Sequence, residues 1–329
     1  MKAALRYFDH HRDALSTAAA LLIFVSMVVY GQLAYGRILQ SSTVSNLLIN
    51  NTHLVILAVA LTFVILTGGI DLSVGAVVAF SSVAGVMLAG RGWNAYLVVA
   101  VMILIGSAIG LLAAVLIEYF EMQPFIATLA MMFLARGLAS SLSTVPERLD
   151  PDSPIREISH DFKLIDGEKV NDLIVTPAVL VAVAVTLAGL FLLHRTRFGR
   201  TVYAIGGSAQ SAELMGLPVR RTRMLVYVLS GTLAGVAGVV YTSRLGTAQN
   251  ITGLGWELDA IAAVVIGGTL LSGGSGFLVG SVVGALVLGL MNVLITRDGG
   301  IRPEMTTIIT GAILLVFVLL QRALKGRRG

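Results

Sequence analysis

Long apolar runs separated by short polar breaks dominate the chain. Runs of about 20 apolar residues match the roughly 30 Å hydrocarbon layer of a bilayer, and shorter glycine-broken ones qualify as interrupted spans. Such runs recur at approximately 14–34, 48–67, 74–90, 95–117, 125–143, 173–193, 224–243, 258–272, 276–295 and 305–321. The pattern predicts an all-α, polytopic membrane protein with about ten transmembrane helices in one domain, 1–329. The third and eighth runs are short and interrupted by glycine, so the count ranges from eight to ten. Two long polar stretches stand out, about 144–172 and 194–223.

Composition supports this reading. Of 329 residues, 56% are hydrophobic and 12% are charged, with a mean hydropathy of +0.89, against roughly 25% charged in an ordinary soluble domain. So few charges cannot coat a water-facing globule of this length. There is no cysteine, which excludes disulfides, thiolate metal sites and a thiol nucleophile. The net charge of +5 does not point to nucleic acid, because the basic residues lie where membrane topology already accounts for them.

Most of the 23 Lys and Arg residues fall at the two ends and in the 194–223 loop. Cytoplasmic loops are enriched in these residues, so both termini are expected in the cytoplasm and the 144–172 loop outside. Lys2, Arg6 and Arg12 precede the first run. That run is read as an uncleaved first membrane helix, since no small-residue cleavage site and soluble domain follow it.

Small residues recur every fourth position at Gly106 and Gly110, at Gly231 and Gly235, and at Gly276, Gly280 and Gly284. This spacing lets helix backbones approach closely in lipid. The stretch Gly68-Gly69-Ile70-Asp71-Leu72-Ser73-Val74-Gly75 also aligns with Gly267-Gly268-Thr269-Leu270-Leu271-Ser272-Gly273-Gly274. Paired glycine-interrupted helices in two halves are the sequence pointer to a transporter's binding region, although shared Gly and Ser composition also accounts for the match.

Polar residues inside apolar runs are the candidate pathway. A carboxylate at membrane depth costs about 2.5–3.5 kcal/mol, so Asp71 must face protein or water. With Ser73 it either contacts substrate or caps the following helix. Arg136 is the one basic residue inside a run and is expected to pair with an acidic or carbonyl group, or to snorkel. Gln123, Phe125 and Thr128 offer an amide, an aromatic and a hydroxyl, a set that suits a sugar. Asp259 opens the eighth run and either caps it or faces the exit. A proton relay would need more intramembrane ionisable groups than Asp71, Arg136 and Asp259, so the energy source is expected outside the chain.

In the 194–223 loop, Ser208 is placed to cap a short helix that Gly216 and Pro218 terminate. Ala212, Glu213, Leu214 and Met215 lie on that helix. A defined two-turn helix between spans suits docking on a partner better than it suits a plain basic connector.

The string Thr62-Phe63-Val64-Ile65-Leu66-Thr67-Gly68-Gly69-Ile70-Asp71-Leu72-Ser73-Val74-Gly75 resembles the signature of permease subunits of bacterial ABC sugar importers, the ribose, xylose and galactofuranose class. Ala204 to Leu217 is similar to that family's cytoplasmic segment, and Glu257 to Gly268 to a late one. The resemblance covers nearly the whole chain, and His194 to Gly199 with Ala204 to Gly207 most resembles the galactofuranose permease. It implies a type II ABC importer permease in the inner membrane, working as a homodimer or beside a sister permease. Two ATP-hydrolysing subunits would bind ATP and Mg, leaving no cofactor in this chain, and a periplasmic sugar-binding protein would deliver substrate. Gly207, Ser208, Ala212, Glu213, Leu214, Met215 and Gly216 would form the helix that couples to the ATPase. Ser208 departs from the asparagine common in the family, but both residues are good N-caps.

No Walker-type glycine-lysine loop occurs here, so the chain is expected to be a transporter subunit and not an enzyme. The rival expectations are an amino-acid ABC permease and a self-sufficient carrier or channel. A membrane enzyme acting on lipid-linked sugars is disfavoured because the acids cluster without metal-ligand spacing.

Overall fold

The computed structural model describes residues 12–160, 162–165, 173–298, 305, 308–313, 315–316 and 319. In chain order the helices are α1 (Arg12–Tyr35), α2 (Ser41–Asn50), α3 (Thr52–Leu66), α4 (Val74–Gly90), α5 (Ala95–Glu118) and α6 (Pro124–Leu142). Strand β1 (Glu147–Arg148), a 3-10 turn (Pro154–Ser159), β2 (Phe162–Ile165) and β3 (Leu173–Val175) follow. The second half runs through α7 (Pro177–Arg195), α8 (Arg197–Gly207), α9 (Ala209–Leu214), α10 (Val219–Leu245), β4 (Thr247–Ala248), α11 (Trp256–Ile266) and α12 (Leu278–Asp298).

Among the described residues, α1, α5, α6, α7, α10 and α12 are long and apolar enough to cross a membrane; α2 and α3 qualify as a pair bent by 50°. The structure therefore gives six or seven full spans where the apolar runs suggested about ten. The difference lies where glycine interrupts the pattern. Helix α4 has 17 residues and α11 has 11, about 25 Å and 16 Å at 1.5 Å per residue. The latter falls well short of the hydrocarbon thickness. The eighth run ends early because Gly267 and Gly268 stop α11, and the sixth starts late because Leu173–Val175 pairs with β2. The tenth run, 305–321, lies largely outside the described residues, though those described within it are helical.

Helix α3 is apolar on every side, and each residue from Leu54 to Leu66 is buried. A helix without a polar face belongs at the centre of a bundle, and α7, α8, α10, α11 and α12 pack around α3. Lipid tails offer no hydrophobic drive between helices, so close approach must supply the cohesion. The fourth-residue glycines do this. A side chain on Gly231 would overlap the Gly106 carbonyl oxygen, and one on Gly110 would overlap that of Tyr227, so α5 and α10 touch backbone to backbone. A second seam joins α11 to α12, where Gly280 and Gly284 lie against the carbonyls of Gly267 and Ala263.

Of the polar 144–172 stretch, 161 and 166–172 lie outside the described residues, and 144–160 folds onto one end of the bundle. Strand β1 pairs antiparallel with β4. Leu149 and Ile155 are buried with Val83, Val86, Met102 and Val239 from α4, α5 and α10, and Ser159 hydrogen-bonds Ser243 at 2.7 Å.

Candidate functional site

The two glycine-rich strings that match in sequence meet in space. The Gly274 amide donates to the Leu66 carbonyl at 2.9 Å. Gly273, at a left-handed φ of 79°, is packed so tightly on Gly68 and Leu66 that no side chain fits. Helix α8 closes this junction from the loop side. Gly206 abuts the Leu66 carbonyl and the Gly274 amide, and the Tyr203 hydroxyl donates to the Gly276 carbonyl at 3.0 Å. The basic loop therefore touches both helix breaks directly.

Asp71 sits in the first break with 1% of its surface exposed. Oδ1 accepts from the Ser73 amide at 2.9 Å and the Ser73 hydroxyl at 2.7 Å; Oδ2 accepts from the Ser230 hydroxyl at 2.7 Å. Ser230 lies eleven residues into α10, about 16 Å along it, well inside the span. Asp71 thus ties the break to α10. It does not cap α4 as expected: the residue at the cap position is Ser73, whose side chain makes no capping bond, and Asp71 reaches only the Ser73 amide. The same break is braced from α6, where the buried Thr128 hydroxyl lies 3.2 Å from the Ile70 carbonyl and 2.8 Å from that of Pro124.

The short helices α4 and α11 begin side by side. Gly75, in the first turn of α4, lies against the Gly253 carbonyl and the carboxylate of Glu257, in the first turn of α11. Arg136 Nη1 donates to the carbonyls of Asn250 and Thr252, at 2.6 Å each, so it pairs with carbonyl groups and clamps the segment that leads into α11. Of the candidate pathway residues, Asp71, Ser73 and Thr128 gather at the first break and Arg136 at this clamp. Gln123 and Phe125 are exposed at the start of α6 and do not join them.

Asp259 belongs elsewhere. It lines a cavity of about 610 Å³ at the α2–α3 bend, between α11 and α12. The bend contributes Asn46, Asn50, Asn51 and His53; α11 adds Trp256, and α12 adds Asn292 and Arg297. The His53 ring stacks at 4.2 Å on Trp256, which Tyr241 meets edge-on at 4.8 Å. Apart from Asp259, none of these was a candidate from sequence. The available signal was a cluster of three asparagines, Asn46, Asn50 and Asn51, at the start of the 48–67 run.

On the loop side, Ser208 caps α9, its hydroxyl accepting from the Ser211 amide at 3.2 Å. Gly216 takes a left-handed φ of 74° just beyond the helix end. Ala212 is buried, whereas Leu214 and Met215 are 84% and 68% exposed; Gly207, Ser208, Glu213 and Gly216 are exposed as well. Glu213, Leu217 and Tyr119 border a groove of about 470 Å³, and Arg220 stacks on Tyr119 at 3.8 Å.

A bundle of broken apolar helices with a helical loop docked on the breaks has the layout of a membrane permease. Residues 43–318 match the family described as branched-chain amino acid transport system / permease component. The chain belongs to this family. Among the permease's relatives, the fructose import permease protein FruG of Bifidobacterium longum is 51% identical over 98% of this chain and 95% of its own. The inner membrane ABC transporter permease protein YjfF of Escherichia coli is 40% identical over 92% and 90%. The ribose import permease protein RbsC of Bacillus subtilis is 37% identical over 96% and 95%. These relatives are permeases, transporters rather than enzymes. A solved inward-facing metal-chelate type ABC transporter shares the fold at a TM-score of 0.52 and 16% identity, covering 94% of the permease and 99% of that chain.

Proposed function

We propose that this permease is the membrane-spanning subunit of a bacterial ABC importer for a monosaccharide. The relatives' names favour fructose or ribose over galactofuranose and over a branched-chain amino acid. In this reading the chain sits in the inner membrane with both termini cytoplasmic and pairs with a second permease. A periplasmic binding protein delivers sugar to the end covered by residues 144–160. ATP and Mg are held by the partner ATPase, which docks on α9.

The observation that carries the reading is α9, a capped helix that presents Leu214 and Met215 to solvent while its neighbour α8 contacts both helix breaks. Exposed apolar side chains on a short rigid helix favour a protein partner, and movement of α8–α9 is passed to the breaks through the Gly206 contact. The test is uptake of fructose and ribose by proteoliposomes holding the permease, ATPase and binding protein. Uptake should require ATP and be lost when Leu214 and Met215 are both replaced by Asp. Uptake without the ATPase subunit would overturn the proposal in favour of a self-sufficient carrier.

A further inference from the structure

The cavity at the α2–α3 bend has the chemistry of a sugar site, and its polar lining is costly unless something wet or polar fills it. Asn46, Asn50 and Asn292 are exposed on α12 and on the bent α2–α3 pair, which are long and apolar enough to cross a membrane, and their side chains have no hydrogen-bond partner among the described residues. Amides turned toward hydrocarbon are strongly unfavourable, so this face borders water, substrate or protein. The half-buried Asp259 carboxylate likewise has no hydrogen-bond donor among the described residues. The opposite wall is aromatic, formed by Trp256 stacked on His53. We propose that this cavity is a monosaccharide-binding site within the permease itself, with Trp256 against the apolar ring face and Asn50, Asn292 and Asp259 on the hydroxyls.

Three features select a sugar over other solutes. Amide side chains both donate and accept, which matches hydroxyls, and a carboxylate accepts from hydroxyls without needing a cation. The volume falls within the roughly 300–1,000 Å³ of small-molecule sites. A zwitterionic amino acid needs a cation or a helix N-terminus for its carboxylate, and the N-terminus that borders the cavity, that of α11, already carries Glu257 and Asp259 in its first turn. Arg297, the cation in the lining, is already engaged, donating to the Gly36 carbonyl at 3.0 Å and to the Thr43 hydroxyl at 2.7 Å. The site lies where two helix discontinuities coincide, the bend of α2–α3 and the start of α11, and irregular backbone at membrane depth is tolerated where it lines a cavity.

The proposal rests on the sugar-importer reading, and the test separates the two. The chain has two tryptophans, so Trp93→Phe leaves Trp256 as its only one. The purified W93F permease with its unlabelled partners would be titrated with D-fructose, D-ribose and L-leucine, following the fluorine NMR resonance of Trp256 labelled as 5-fluorotryptophan. A saturable shift with a monosaccharide and none with leucine is expected. Asp259→Asn and Asn292→Ala should weaken it about tenfold or more and raise the half-saturation of uptake in the full importer, with thermal stability matched to wild type as the folding check. Asn50→Ala serves as a further variant should either fail that check. An importer that takes up sugar while Trp256 is silent, or whose cavity variants keep wild-type half-saturation, overturns this site and leaves the function standing. An importer that takes up leucine and no sugar overturns both.

Discussion

Replacing Asp71 by Ala tests whether this residue holds the break together or touches substrate. The substitution removes the acceptor for three buried donors, the Ser73 amide, the Ser73 hydroxyl and the Ser230 hydroxyl. Each buried donor left unpaired costs about 1–3 kcal/mol. The two hydroxyls can rotate toward nearby helix carbonyls, so the backbone amide carries its full cost and the hydroxyls a part of theirs. Removal of a buried carboxylate returns some desolvation energy. The net expectation is a loss of about 2–4 kcal/mol, or roughly 3–6 °C in Tm, read by thermal unfolding of the permease in nanodiscs. Asp71→Asn keeps one acceptor oxygen and should lose about half as much. In a double-mutant cycle with Ser230→Ala, Asp71 should show a coupling of about 0.5–3 kcal/mol. Half-saturation of uptake should be unchanged well below the Tm. A wild-type Tm combined with a raised half-saturation would refute the structural role and place Asp71 on the substrate.

Other contacts give equally direct tests. Arg136→Met removes the donor from two carbonyls held at 2.6 Å, each charged bond contributing about 1.5–3 kcal/mol; hydrogen exchange across 249–257 should accelerate at least about tenfold, and unchanged exchange would show that the clamp is unimportant. Gly206→Val places a side chain into the Leu66 carbonyl and the Gly274 amide, prising α8 off the junction. ATP hydrolysis by the docked ATPase should persist while uptake falls at least about tenfold, by analogy with overpacking penalties of about 1–3 kcal/mol; parallel loss of both activities would point to misfolding.

Much of the helical architecture was legible in the chain because membrane insertion is governed by local quantities. Run length and hydropathy locate α1, α5, α6, α7, α10 and α12 to within a few residues. Fourth-residue glycines announce the α5–α10 seam, because close backbone approach excludes any Cβ. The capped helix after Ser208 was readable for the same reason: a cap, six residues and a terminating glycine are all local. The polar partners of Asp71 and Arg136 were foreseeable in kind, since a buried charge must be satisfied, but not in identity, since Ser230 and Asn250 are distant in sequence.

What the sequence determined by itself is thus an all-α membrane bundle, its two glycine breaks and a short capped helix in the basic loop, all properties of short windows governed by hydrocarbon thickness and backbone sterics. Tertiary structure alone decided that the two breaks meet, that α8 seals them, and that Asp71 is buried among serines. It also decided that Asn50, His53, Trp256, Asp259 and Asn292 surround one space. None of these last residues is unusual where it stands in the chain. They are brought together only because α2 and α3 meet at a 50° bend, α11 begins beside that bend and α12 passes both, and packing over long sequence separations sets that arrangement.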